Sequence, residues 1–191
     1  MDNLYIRKIN KDDLEKMIKM AEDKYKHGEM SEEKYLKWKN AKSTDFFEKY
    51  LEKAKKREQG EGEIQGINFY HFLLLLEDEV IGTGRIRTNI ENDDYFNNYS
   101  GHIGYTIIPS KRKLGYGSEL LHLLLEKASE LGMKEVMIVC LNNNIGSQKV
   151  IENNFGKYLD TVLDPVDNKY YKRYTINVEK SLESYKKDRR I

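Results

Sequence analysis

Arg112-Lys113-Leu114-Gly115-Tyr116-Gly117-Ser118 decides how this chain is read. The stretch lies between a strand-like run, Gly101-His-Ile-Gly-Tyr-Thr-Ile-Ile108, and an amphipathic helix that starts near Gly117. A glycine-spaced loop at a helix start leaves backbone N–H groups free for a phosphate. The helix dipole adds roughly half a positive charge there, and Arg112 and Lys113 add full ones. The pattern predicts a diphosphate cradle.

Beyond the loop, Leu120, Leu121, Leu124, Leu125, Ala128 and Leu131 form one apolar helix face that Gly132 closes. Val136–Leu141 reads as a buried strand, Ile145–Glu152 as a short helix, and Phe155–Leu163 with Tyr170–Val178 as a closing strand pair. Before the loop, Ile67–Leu76 and Val80–Arg87 read as a hairpin, and Glu91–Tyr99 as a connection. Leu4–Ile9 reads as a first strand, with Asn10 as the cap of a helix carrying Leu14, Met17, Ile18 and Ala21. Two further helices carry Trp38 and Phe46-Phe47, and the charged stretch Lys53–Glu63 reads as a solvated loop. The polar tail, Glu179–Ile191, reads as a frayed helix or a disordered segment.

Of 191 residues, 39% are hydrophobic and 34% charged, which fits a soluble globular chain with a real core. Lys plus Arg number 33 against 32 Asp plus Glu, a balance that argues against a nucleic-acid or membrane-surface binder. Cys140, the only cysteine, sits in an apolar run and reads as a small buried hydrophobe, so no intrachain disulfide is expected. No metal-ligand spacing is read, and no leader or spanning segment, so a cytoplasmic location is expected.

Phosphate-binding alternatives fail on specific residues. A Walker loop needs four residues between its glycines followed by Gly-Lys-Ser/Thr, which is absent. The dinucleotide fingerprint needs a third glycine where Leu120 stands. The run Pro109-x-x-Arg112-x-x-Gly115-x-Gly117 instead resembles the acyl-CoA loop of the GNAT superfamily of N-acyltransferases. Asn144-Ile-Gly-Ser147, just after the next strand, looks like that family's Asn-x-x-Ser/Ala segment, and Phe155-Gly156 stands where the family has Gly-Phe, in reversed order. Gly101-His-Ile-Gly-Tyr with Tyr171-Lys-Arg-Tyr174 looks like a bacterial group of predicted acetyltransferases.

The resemblance implies a single acyltransferase domain over 1–191: a strand and acceptor-side helices in 1–60, an acyl-CoA core in 67–178, and the tail from 179. It implies one mixed, mainly antiparallel twisted sheet of about six to seven strands, with a splayed central pair and flanking helices. Acetyl-CoA is the implied acyl donor, without a metal. Ile107 and Ile108 would meet the pantetheine arm, and the amides of Lys113, Leu114, Gly115, Tyr116, Gly117 and Ser118, beside Arg112, would hold the diphosphate. Asn144 would bond the pantetheine or position the chain beside it.

The implied reaction is attack of a primary amine, on a small molecule or a protein, on the thioester. The family's tyrosine acid falls on Ile151, which cannot serve, leaving Ser147 as a substitute and His102 as the candidate base. A non-catalytic acyl-CoA-sensing module is the alternative. Arg85 and Arg87 read first as a solvated strand face and alternatively as contacts for an acidic substrate. Exposed strand edges permit a homodimer.

Overall fold

The strands on either side of the glycine loop belong to two half-sheets that meet at one point. The computed structural model describes residues 3–188. Strands β1 (Leu4–Lys8), β2 (Asn68–Leu76), β3 (Glu79–Thr88) and β4 (Ile103–Ile107) pair antiparallel in that order. Strands β5 (Glu135–Leu141), β6 (Lys157–Leu163) and β7 (Tyr170–Asn177) form a three-stranded sheet with β7 at its centre. The halves join at the bridge between Gly101 and Ile138, and β4 and β5 splay beyond it. This is the expected open, mixed sheet with a splayed central pair.

The helices are α1 (Leu14–Lys26), α2 (Glu32–Lys39), α3 (Phe46–Glu58), α4 (Tyr116–Glu130), α5 (Ile145–Asn153) and α6 (Val178–Asp188). Helix α4 buries Leu120, Leu121, Leu124, Leu125 and Ala128 completely against β1, β3 and β4. Each buried leucine contributes about 1.5–3 kcal/mol, which makes this face the main anchor of the first half-sheet. On the opposite face, α1 packs on β3 and α3 on β2. Trp38 of α2 meets Phe46 and Tyr50 edge-on at 5.1 and 5.3 Å and ties α2 to α3.

Asn10 caps a short turn, Lys11–Asp13, rather than α1 itself. Asp13 returns a bond to the Asn10 amide and is buried against the Arg7 guanidinium, with contacts of 2.6 and 2.7 Å. Helix α3 continues to Glu58, through half of the stretch expected as a solvated loop. Of the two readings of the tail, the helix is the one found: α6 runs from Val178 to Asp188. Val178 and Ser181 are buried, and the Ser181 hydroxyl donates to the Asn154 carbonyl at 2.9 Å. Residues 189–191 of that tail lie outside the described residues.

Gly101 has φ +70°, and a Cβ there would stand 2.6 Å from the Met137 carbonyl oxygen. The Met137 backbone and Val139 Cγ2, at 3.3 Å, leave little room to give way. Gly101→Ala is therefore expected to lower stability by about 2–4 kcal/mol, read from the urea midpoint at constant m-value. A loss below about 0.5 kcal/mol would mean that the junction tolerates a side chain.

Candidate active site at the splay of two strands

His102 makes the junction with its own backbone. Its carbonyl accepts from Arg87 N–H of β3 at 2.7 Å, while its N–H donates to the Met137 carbonyl of β5 at 2.8 Å. The Arg87 guanidinium donates to the Gly101 carbonyl at 2.8 Å and lies against the rings of both Phe69 and Phe96. Further along β4, Ile108 N–H donates to Ile81 of β3 at 2.9 Å. Antiparallel ladders alternate, so Tyr105 and Ile107 turn their N–H and C=O groups away from β3, toward the gap. The Ile107 carbonyl accepts from Arg112 Nε at 2.9 Å, which leaves the Ile107 N–H at the open edge.

The loop that follows is shaped to gather amides. Lys113 (φ +63°) and Gly115 (φ +87°) are left-handed on either side of Leu114, an alternation that points successive N–H groups inward as an anion nest. Ser118 N–H donates to the Gly115 carbonyl, whereas the amides from Lys113 to Gly117 have no partner among the described residues. Gly117 brings α4 against α5, since a Cβ there would lie 3.0 Å from Val150 Cγ2. Arg112 clamps Glu29 in the α1–α2 connection, with one contact at 2.6 Å, and this pairing holds the Glu29 carboxyl below the usual carboxylate range. Lys111 pairs with Glu79 at 2.8 Å. Lys113 is exposed and forms no ion pair among the described residues.

Across the gap, Asn144 caps α5 by accepting from Ser147 N–H at 3.0 Å, which leaves its amide NH2 facing solvent. The Ser147 hydroxyl bonds the Tyr105 hydroxyl of β4 at 2.9 Å and so spans the splayed strands. Burial pushes the Tyr105 phenol well up, so it stays protonated and able to donate. Burial likewise raises the Cys140 thiol, in keeping with a packed hydrophobe rather than a nucleophile. Ile151 is fully buried.

His102 and Met137 share a second bond: Met137 N–H donates to His102 Nδ1 at 2.9 Å. In the neutral ring this places the proton on Nε2 and leaves no lone pair for another. Burial also lowers the His102 pKa. The imidazole acts here as a tie between β4 and β5, which is a different task from accepting the substrate's proton.

Residues 3–154 match the family described as an acetyltransferase (GNAT) domain. The chain belongs to the GNAT acetyltransferases. Solved structures share the fold of this GNAT chain at low identity. A ribosomal-protein-S5-alanine acetyltransferase from Vibrio fischeri is 14% identical with a TM-score of 0.66, over 93% of this chain and 94% of that one. An aminoglycoside acetyltransferase in complex with coenzyme A is 13% identical with a TM-score of 0.65, over 96% and 99%. A spermidine N-acetyltransferase chimera of Vibrio cholerae and hSSAT is 15% identical with a TM-score of 0.63, over 95% and 99%. No curated sequence matches significantly. No helix among the described residues is long and apolar enough to cross a membrane.

Several expected site residues change task in the GNAT frame. Ile107 stands at the open edge, but the Ile108 N–H is bound to Ile81. The Ser118 amide is bound within the loop, and the Arg112 charge faces Glu29. Arg87 is buried, contrary to its reading as solvated, whereas Arg85 is open to solvent. Sequence reading missed Glu29 as the anchor of the loop, because the pair spans 83 residues and nothing local marks it.

On the face of β2 and β3 covered by α1 and α3, His71 is pushed down to about 4, first by burial and then by Arg85, Arg57 and Arg87. A histidine whose folded pKa is lowered takes no proton when the unfolded chain does. Its contribution is present above pH 6.5 and is lost as pH falls from 6.5 toward 4, by roughly 2–3 kcal/mol. His71→Gln is expected to flatten the fall in urea stability between pH 7 and pH 4. An equal fall in both proteins would place the acid sensitivity elsewhere.

Proposed function

We propose that this GNAT chain transfers an acetyl group from acetyl-CoA to a primary amine by direct attack on the thioester. The observation that carries the reading is the run of unpartnered amides from Lys113 to Gly117, set beside the open edge of β4. A diphosphate would take those amides with Lys113, and the amide-bearing pantetheine would lie along Tyr105 and Ile107 in the gap. The Asn144 NH2 stands where it would meet the same arm. The named acceptors of the structural neighbours include a ribosomal protein, an aminoglycoside and spermidine, which supports an amine acceptor.

The amine nitrogen attacks the thioester carbon, and the Ile107 N–H stabilises the developing oxyanion. An amine with pKa near 10.4 is only about 0.04% neutral at pH 7, so it must lose a proton before attack. With His102 Nδ1 occupied, that proton leaves through water in the cleft. The C–S bond then breaks, and the thiolate takes up the second proton, which the attacking nitrogen gives up as it becomes an amide; the Ser147 and Tyr105 hydroxyls, 2.9 Å apart, relay it and end as protonated as they began. Proximity supplies much of the rate, and the hydroxyl pair assists departure.

Gly117→Asp puts a carboxylate into the cradle and a side chain against Val150. Acetyl-CoA affinity by calorimetry is expected to fall about a hundredfold or more, equivalent to losing one or two charge-assisted bonds. Unchanged affinity would remove the basis of this reading. Ser147→Ala is expected to lower kcat about tenfold to a hundredfold with little change in the KM for acetyl-CoA. An unchanged kcat would leave Ser147 with only its contacts to Asn144 and Tyr105.

A further inference from the structure

The acceptor face carries a positive charge without a partner. His71 of β2 and Arg85 of β3 stand opposite each other in the ladder, so their side chains share a face, and Arg87 follows two residues along. Helices α1 and α3 flank this face and supply Lys24, Tyr50 and Arg57. Two of the neighbouring cations have partners. Arg57 pairs with Glu63 at 2.8 Å and Arg87 bonds the Gly101 carbonyl, whereas Lys24, whose pKa burial lowers, lies in the fields of Glu29 and Asp23 and of Arg112 and Arg85.

Arg85 has no hydrogen bond or ion pair among the described residues, and the groups that act on it are Tyr50 and Arg57, not carboxylates. His71 Nε2 is buried and also lacks a partner. Arg85 is solvent-accessible on the face that α1 and α3 flank, where partial burial lowers its pKa. Such a group is stabilised by an anion that excludes water from it.

The position is next to the chemistry. Arg85 pairs with Gly104 of β4, whose missing side chain leaves room for the Arg87 guanidinium beside it. Ile107, whose N–H faces the gap, lies three residues further along β4, about 10 Å at 3.3 Å per residue. The reach of the arginine side chain shortens that span.

We propose that the acceptor is a small amine carrying a carboxylate or a phosphate, which Arg85 and His71 hold by its anionic group while its amine reaches the open edge of β4. This inference rests on the transferase reading. It narrows the acceptor to molecules whose amine and anion are separated by no more than about 10 Å.

The test compares matched amines in an acetyl-CoA-dependent CoA-release assay. The pairs are 4-aminobutyrate against n-butylamine, 6-aminohexanoate against n-hexylamine, and O-phosphoethanolamine against ethanolamine, with 1,4-diaminobutane as the cationic probe. Each anionic amine that fits is expected to exceed its neutral partner in kcat/KM by about tenfold to a hundredfold, the range of one charge-assisted bond. The carboxylate and phosphate arms identify the anion. Arg85→Ala is expected to bring the ratio close to one, Arg85→Lys to keep part of it, and His71→Gln to reduce it. Equal or greater turnover of neutral or cationic amines, or a ratio that survives Arg85→Ala, overturns the inference.

Calorimetric titration of 4-aminobutyrate and O-phosphoethanolamine onto the acetyl-CoA-saturated protein gives a readout independent of turnover. Binding that Arg85→Ala removes supports the anion site, and no binding of either overturns it. Failure of the transferase reading would look different: acetyl-CoA itself would not bind, while the same titrations on the free protein would still test the anion site.

Discussion

The junction at Gly101 and His102 is the constraint on which the site depends. Two half-sheets, each with its own ladder, are tied by one bridge and by the two bonds that His102 exchanges with Met137. The left-handed backbone of Gly101 turns the chain there, and the buried Arg87 guanidinium fixes the Gly101 carbonyl from behind. Because the tie is local, β4 and β5 separate beyond it, and Tyr105 and Ile107 are left with backbone groups that no strand pairs. An unpaired sheet edge inside a fold is normally a liability. Here it lies beside a nest of amides, and a ligand whose arm bears its own amides matches both.

The same economy of contacts fixes the shape of the loop. Arg112 does not wait for a phosphate; it joins Glu29 to the Ile107 carbonyl, while Lys111 reaches Glu79. The amides from Lys113 to Gly117 are therefore held open by side chains that point elsewhere. Preorganisation of this kind reduces the ordering cost of binding. Two tyrosine-bearing regions then divide the remaining work. Tyr105 with Ser147 faces the splay, and Tyr50 helps to wall the face where Arg85 and His71 lie.

The legible parts of the sequence were those with a local period or a local motif. The apolar face of α4 from Leu120 to Ala128, the Asn144 cap and the glycine spacing of the loop each depend on neighbours within a few residues and stand where the pattern puts them, whereas Leu131, expected on that face, is exposed at the helix's end. Long-range partners were not legible. The Arg112–Glu29 clamp spans 83 residues, and the burial of Arg87 follows from Phe69 and Phe96 closing around it. His102 has a suitable ordinary pKa for a base, but its role is set by Met137 N–H, 35 residues away, which occupies the lone pair. The tail was only partly legible, as a helix or disorder, because its charges mask the spacing of Val178, Leu182 and Tyr185, which is that of a helix with one buried side.

The most direct measurement is the amide spectrum of the 15N-labelled protein titrated with acetyl-CoA. The account predicts saturable shifts at Lys113, Leu114, Gly115, Tyr116 and Gly117 and at the edge amide of Ile107, with Ile108, bonded to Ile81, changing far less. Shifts confined to other regions, or none at saturating acetyl-CoA, would contradict the claim that the splay below the Gly101–His102 junction and its amide nest form the donor site.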